Sequence, residues 1–186
     1  PFNRRFARQR TGTTAQTALW GRPMHRLILM RHAEAEARPP VGGEDRDRPL
    51  SVRGLSEAAR MGQELAARGF RPDLALVSGA VRTRQTWEQV QDALGDVEVR
   101  VQDHLYDAPA DTLRQEIELN EEEAGCVLVL AHNPGIHQLA VDYLIESAAS
   151  PTILDRFAGG FPTSGCAVFQ VDAAGRPSYE GWLTLA

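Results

Sequence analysis

A layered α/β domain is what this sequence predicts: a three-layer sandwich with a mostly parallel central sheet and helices on both faces. Three observations carry the prediction. Leu27-Ile28-Leu29-Met30, Leu74-Ala75-Leu76-Val77 and Val127-Leu128-Val129-Leu130 are short, unbroken apolar runs, the mark of strands buried on both faces. The stretches between them place apolar residues at helical spacing, so strands alternate with helices. Each run also stops at residues able to do chemistry: Arg31-His32, Ser78 with Arg82 close behind, and His132. Parallel strands bring such ends to one rim, where open α/β sheets bind their ligands.

Residues 1–23 hold five arginines and no acid, and they lack the apolar segment of a secretory signal. They read as a flexible N-terminal extension, either a plain tail or sequence ahead of a start at Met24, before one domain over 24–186. The first strand spans 26–31. A polar loop follows, with Pro39-Pro40, Gly42-Gly43 and a charged run, Glu44-Asp45-Arg46-Asp47-Arg48, that cannot be core. Ser51 then caps a helix over 52–68 with Leu55, Ala58, Ala59, Met61 and Leu65 on one side and Gly69 as its stop.

The second buried strand covers 74–78, and a helix over 80–94 ends at Gly95. Val97, Val99 and Val101 alternate with polar residues, as in a strand near a sheet edge. Asp111 opens a helix over 111–123. The third apolar strand, 126–131, runs into Asn133-Pro134-Gly135 and a helix over 135–148. Residues 149–165 read as loop, and two last strands, 166–171 and 182–185, flank the turn Asp172-Ala173-Ala174-Gly175.

Composition narrows the function. The net charge is −5, and because the first residues are basic the remainder carries about −10, which argues against a nucleic-acid surface. No apolar run approaches the roughly 18 residues of a membrane span. Cys126 and Cys166 lie in strand-like runs whose spacing requires no disulfide, favouring an intracellular, cytoplasmic setting. No metal-ligand spacing is present: His132 and His137 are five apart rather than four. Two histidines and two arginines meeting at one rim suit a dianionic phosphoryl group, which arginine forks and a protonated imidazole can hold.

The motifs carry a resemblance. Leu29-Met30-Arg31-His32-Ala33 resembles the Arg-His-Gly motif of the histidine phosphatase superfamily, and Pro49-Leu50-Ser51-Val52-Arg53-Gly54 its lead into the first helix. Ser78-Gly79-Ala80-Val81-Arg82-Thr83-Arg84-Gln85-Thr86 resembles the family's Ser-Pro-x-x-Arg-Ala-x-x-Thr stretch. Val129-Leu130-Ala131-His132-Asn133-Pro134-Gly135 is similar to its second histidine motif in the Asn-Pro-Gly form. That form and the small size point to the SixA-type phosphohistidine phosphatases, over residues 25–186. The chain departs from the pattern at Ala33 and Ala131, where glycine is common, and at Gly79, where proline is usual.

The resemblance implies a phosphoglycerate mutase-like fold and a transient phosphohistidine on His32. It also implies that Arg31, Arg82 and His132 bind the phosphoryl oxygens, with no metal or other cofactor. His32 must then be neutral, with one ring nitrogen hydrogen-bonded and the other free to attack. Where related phosphomonoesterases protonate a leaving alkoxide, the matching stretch is Leu105-Tyr106-Asp107-Ala108, so Asp107 is either the proton donor or a turn-forming residue before Pro109. Glu34 lies near the site, where it could screen or position Arg31, without a catalytic role. His25 and His104 are expected at the surface or a strand edge, His137 in solvent or beside the site, Arg84 in a surface ion pair or against the pocket, and Trp87 and Tyr143 in the core.

The substrate is expected to be phosphohistidine in a partner protein, because the spacing leaves little chain for a lid. One alternative is a small phosphoester, over which residues 35–50 could form a modest lid. Another, of a different class, is a phosphate- or phosphopeptide-binding module without turnover. Neither a nucleic-acid nor a membrane partner is expected, and the oligomeric state is open.

Overall fold

The computed structural model describes residues 24–185, so the N-terminal extension lies outside the described residues. Six strands make one sheet: β1 (Arg26–Arg31), β2 (Leu74–Ser78), β3 (Glu98–Gln102), β4 (Cys126–Ala131), β5 (Cys166–Val171) and β6 (Pro177–Leu183). Their order is β3-β2-β4-β1-β5-β6. The first four run parallel; β5 is antiparallel to β1, and β6 to β5.

The alternation of side chains along each strand divides the core in two. Ile28 and Met30 pack with Met61 and Leu65 of α1 (Val52–Ala67) and with Trp87, Val90 and Leu94 of α2 (Val81–Leu94). Leu27 and Leu29 face the other way. They join Leu113 and Ile117 of α3 (Ala110–Asn120), Leu139 and Leu144 of α4 (Gly135–Glu146) and Phe157 of α5 (Pro151–Ala158). With helices over both faces, β2 and β4 are buried along their whole length, which is why they read as unbroken apolar runs.

Ser51 caps α1 as expected, its hydroxyl accepting from Gly54 N at 3.0 Å. Several boundaries differ from expectation, most clearly at α3 and β6. Helix α3 starts at Ala110 and ends at Asn120, ahead of the three glutamates, and β6 begins at Pro177 rather than 182. The larger correction is α5, which occupies a stretch read as loop. Pro151 and Gly159-Gly160 look like breakers, yet Pro is favoured in the first helical turn, where no N–H partner is required. At eight residues the helix is too short for a periodic signal, and its stability comes from Phe157, fully buried against Trp182 with ring centroids 4.1 Å apart. Among the described residues, no helix is long and apolar enough to cross a membrane.

Candidate active site

The register of the sheet sets the site. Arg31 pairs with Ala131 across β1 and β4, so the next residues, His32 and His132, leave the sheet side by side. Their ring centroids are 5.1 Å apart. On the far side of β4, strand β2 ends at Ser78, whose hydroxyl lies 2.7 Å from Nε2 of His132. Arg82 enters from the first turn of α2, its side chain only 5 % exposed. Thr86, one turn further, donates to the Arg82 carbonyl at 2.7 Å and accepts from the Ala33 N–H at 3.0 Å. The backbone beside His32 is thereby tied to the helix that carries Arg82.

Each ring is tuned by its surroundings. His32 Nδ1 sits 2.7 Å from the Ala33 carbonyl oxygen. A carbonyl only accepts, so Nδ1 carries the proton and Nε2 keeps its lone pair. Burial pushes the His32 pKa down to about 4, with the charges of Arg82, Arg31 and Arg48 adding to that effect and the bond to Ala33 opposing it. Burial likewise lowers His132, to about 3, with His32 and Arg82 contributing. Both imidazoles are neutral at pH 7. Arg31 donates to the Phe161 carbonyl at 2.7 Å, and Asn133 donates to the same oxygen at 3.0 Å. Arg31 Nε, His132 Nδ1 and Asn133 Oδ1 are buried with no hydrogen-bond partner among the described residues.

A second tier of residues reaches the rim from the loop between β1 and α1. There the charged run folds into a 3-10 turn, Asp45–Asp47. Arg82 donates to the Asp45 carbonyl at 2.9 Å and lies 3.2 Å from its carboxylate. The Tyr106 hydroxyl donates to the same carboxylate at 2.8 Å, and Arg48 to its other oxygen at 2.9 Å. With three donors around it, led by Arg48, the Asp45 carboxyl is held down to about 2. The Tyr106 ring stands edge-on to His132 at 5.5 Å, with Arg82 5.5 Å from its centroid. Within the 35–50 stretch, Asp45 is the residue bonded to Arg82. Nothing local in the sequence assigns Asp45, Arg48 or Tyr106 to this rim. The only signal was a charged run too polar for core, and where a loop lays its side chains is decided by long-range packing.

Asp107 is exposed on the turn before α3, beside Tyr106, with φ +48°. Aspartate tolerates this left-handed conformation better than most residues, so the turn is itself a sufficient reason for it. The same turn explains Gly135. A β-carbon there would collide with the Ala108 carbonyl, so only glycine lets α4 start against it. The other departures from the motif pattern are absorbed. Ala33 packs with Leu50 and Ala58, Ala131 is buried, and Gly79 leaves room for Asp103, which pairs with Arg46 at 2.8 Å.

Glu34 accepts from the Ser51 hydroxyl at 2.8 Å and lies 3.6 Å from Arg53, so it anchors the start of α1 rather than Arg31. His137 bonds the Phe157 carbonyl at 2.8 Å, a tie between α4 and α5. His25 and His104 are exposed, as is Arg84, while Trp87 and Tyr143 are buried in the core. Cys126 and Cys166 are buried free thiols. No group of three or more His, Cys, Asp and Glu side chains is arranged to hold a metal ion among the described residues.

The comparisons with known proteins agree with this geometry. The family described as the histidine phosphatase superfamily (branch 1) matches residues 27–122. An uncharacterized protein of Mycobacterium tuberculosis is 35% identical over 142 residues, covering 76% of this chain and 87% of that protein. The crystal structure of a candidate phosphohistidine phosphatase SixA from Agrobacterium tumefaciens superposes with a TM-score of 0.77 at 31% identity, covering 87% of this chain and 99% of that one. The protein histidine phosphatase SixA complexed with tungstate shares the fold, with a TM-score of 0.68 at 24% identity over 86% of this chain and 96% of that one. Family match, relatives and rim geometry converge: the chain belongs to the histidine phosphatase superfamily (branch 1) and is a phosphatase.

Proposed function

We propose that this phosphatase removes phosphate from phosphohistidine in a partner protein, through a phosphohistidine formed on its own His32. One observation carries the reading. His32 is buried, neutral and proton-bearing on Nδ1, which leaves Nε2 as a nucleophile between two arginines. Its lone pair forms a bond to phosphorus while the bond to the substrate nitrogen breaks and the leaving imidazole takes the electron pair. Water then attacks the phosphorus on His32; the phosphorus–nitrogen bond breaks, its electron pair returns to Nε2, and the water proton passes to the phosphate being released or to solvent.

Arg31, Arg82 and His132 are the proposed holders of the three nonbridging oxygens. Arg31 Nε–H is a buried donor without a partner among the described residues. If Ser78 donates to Nε2 of His132, that ring carries its proton on Nδ1 and supplies a second such donor. Fixed donors of this kind stabilise developing charge without reorganisation, and loss of one costs on the order of 10²–10³ in rate. An open recess of about 470 Å³ adjoins Arg31, lined also by Asn133, Arg156, Phe161 and Trp182, and it suits a side chain presented by another protein. A role in cytoplasmic signal transduction is proposed on the same footing.

A second reading, a small-molecule phosphomonoesterase, is favoured by the contact of Asp45, within the 35–50 loop, with Arg82. In it Asp107 is the proposed proton donor to the alkoxide. Brief incubation with a labelled histidine-phosphorylated peptide and acid-free trapping tests the central step. Acid-labile label is expected on the wild-type protein and not on His32→Ala, which should also lose turnover. Label recovered on serine or aspartate would sink the assignment.

A further inference from the structure

We propose that Asp45 selects phosphorus–nitrogen over phosphorus–oxygen substrates by accepting a hydrogen bond from the far ring nitrogen of the substrate's phosphorylated imidazole. The inference rests on the phosphohistidine reading and adds to it the residue that sets the preference. It starts from an arrangement that looks unfavourable. Arg82, proposed to hold phosphoryl oxygens, lies 3.2 Å from the carboxylate of Asp45 and also donates to its backbone carbonyl. A fixed anion beside an anion-binding guanidinium repels the ligand that guanidinium is there to bind. Tyr106 and Arg48 hold the carboxylate in place, so it does not simply swing away, yet 52% of its side-chain surface stays open. Such a carboxylate discriminates in favour of substrates that bring a compensating positive charge.

A phosphorylated imidazole brings one. Protonated on the nitrogen that does not carry phosphorus, the ring is a cation with an N–H donor. A charged hydrogen bond to a carboxylate holds that proton in place and orients the ring. When Nε2 of His32 attacks, the phosphorus–nitrogen bond breaks and its electron pair neutralises the ring. The leaving group is then neutral imidazole, which keeps the proton it arrived with. No acid has to deliver a proton to the departing atom. An alkyl or aryl ester has no such donor, and its departing oxygen gains negative charge, which a neighbouring carboxylate opposes. Asp45 is also poorly suited to be the missing acid, because three donors keep it ionised.

The test compares kcat/KM of the full chain on a chemically phosphorylated histidine peptide and on para-nitrophenyl phosphate, for the wild type, Asp45→Asn and Asp45→Glu. In Asp45→Asn the ratio of the two values is expected to fall roughly tenfold or more, as for loss of a hydrogen bond to a charged group. Asp45→Glu, which keeps the charge, is expected to recover part of the ratio. Equal losses on both substrates would make Asp45 a mere prop for Arg82 and overturn the proposal, as would an unchanged ratio. A wild type that hydrolyses the aryl ester but leaves the phosphohistidine peptide untouched overturns the phosphohistidine reading itself, and this inference with it. The two failures are thus told apart by the wild-type measurement alone.

Discussion

His32 is neutral because it is buried beside two arginines, and that has a consequence for stability as well as chemistry. Its pKa is about 4 in the folded protein, against about 6.5 for an unfolded histidine. Between those values the unfolded chain takes up a proton that the folded chain refuses. The stabilising contribution is therefore full above pH 6.5 and is lost progressively as pH falls toward 4. At 1.36 kcal/mol per pKa unit, His32 alone accounts for roughly 3 kcal/mol. Urea denaturation at pH 7 and pH 4.5 should show that His32→Asn loses distinctly less stability on acidification than the wild type. Ring nitrogen shifts in NMR should also report His32 neutral down to pH 5. A ring titrating near 6.5 would contradict the tight packing on which its proposed nucleophilic role rests.

At the scale of elements, α5 and the 106–109 turn make opposite kinds of contribution. Helix α5 covers part of one face of the sheet, with Phe157 fully buried and Ile153 and Leu154 partly buried against the core. Phe157 packs against both Trp182 and Phe161, which also touch each other, and its helix receives the bond from His137. Phe157→Ala is expected to cost about 3–5 kcal/mol of unfolding free energy, as for a buried aromatic that leaves a cavity. A loss under about 1 kcal/mol in denaturant titration would mean that α5 is dispensable to the core. The turn instead presents Asp107 to solvent in a left-handed conformation that asparagine also tolerates, so Asp107→Asn keeps the backbone. If Asp107 is an acid, that substitution damages alkyl-phosphate turnover by roughly 10²–10⁴ while sparing phosphohistidine turnover. Equal losses on the two substrates would assign Asp107 to the turn alone.

For the molecule as a whole, the sheet order matters most. Inserting β4 between β2 and β1 brings Ser78, His132 and His32 to adjacent strand ends, and α2 then adds Arg82. The charge that a phosphoryl group requires is proposed to come from these side chains. Turnover of para-nitrophenyl phosphate should accordingly persist in excess chelator, and loss of activity restored by added metal would count against that scheme.

The three apolar runs, the helical periodicity between them and the polar residues at their ends determined the α/β class by themselves. They also singled out His32, Arg31, Arg82 and His132 as candidates, because each stands next to a pattern that local physics makes legible, and the structure brings these residues to one rim. Burial on two faces demands unbroken apolar strands, and the residue after such a strand must emerge at an edge. Only the tertiary structure decided what lies across that edge. Asp45 meets Arg82 across 37 positions and Tyr106 across 61, and Arg48 joins them only through Asp45. Loop side chains obey no period, so nothing local announces where they point. Helix α5 escaped for a related reason: eight residues bounded by proline and glycine form a helix because Phe157 has a hydrophobic site to fill, and that site is built by the sheet and by Trp182.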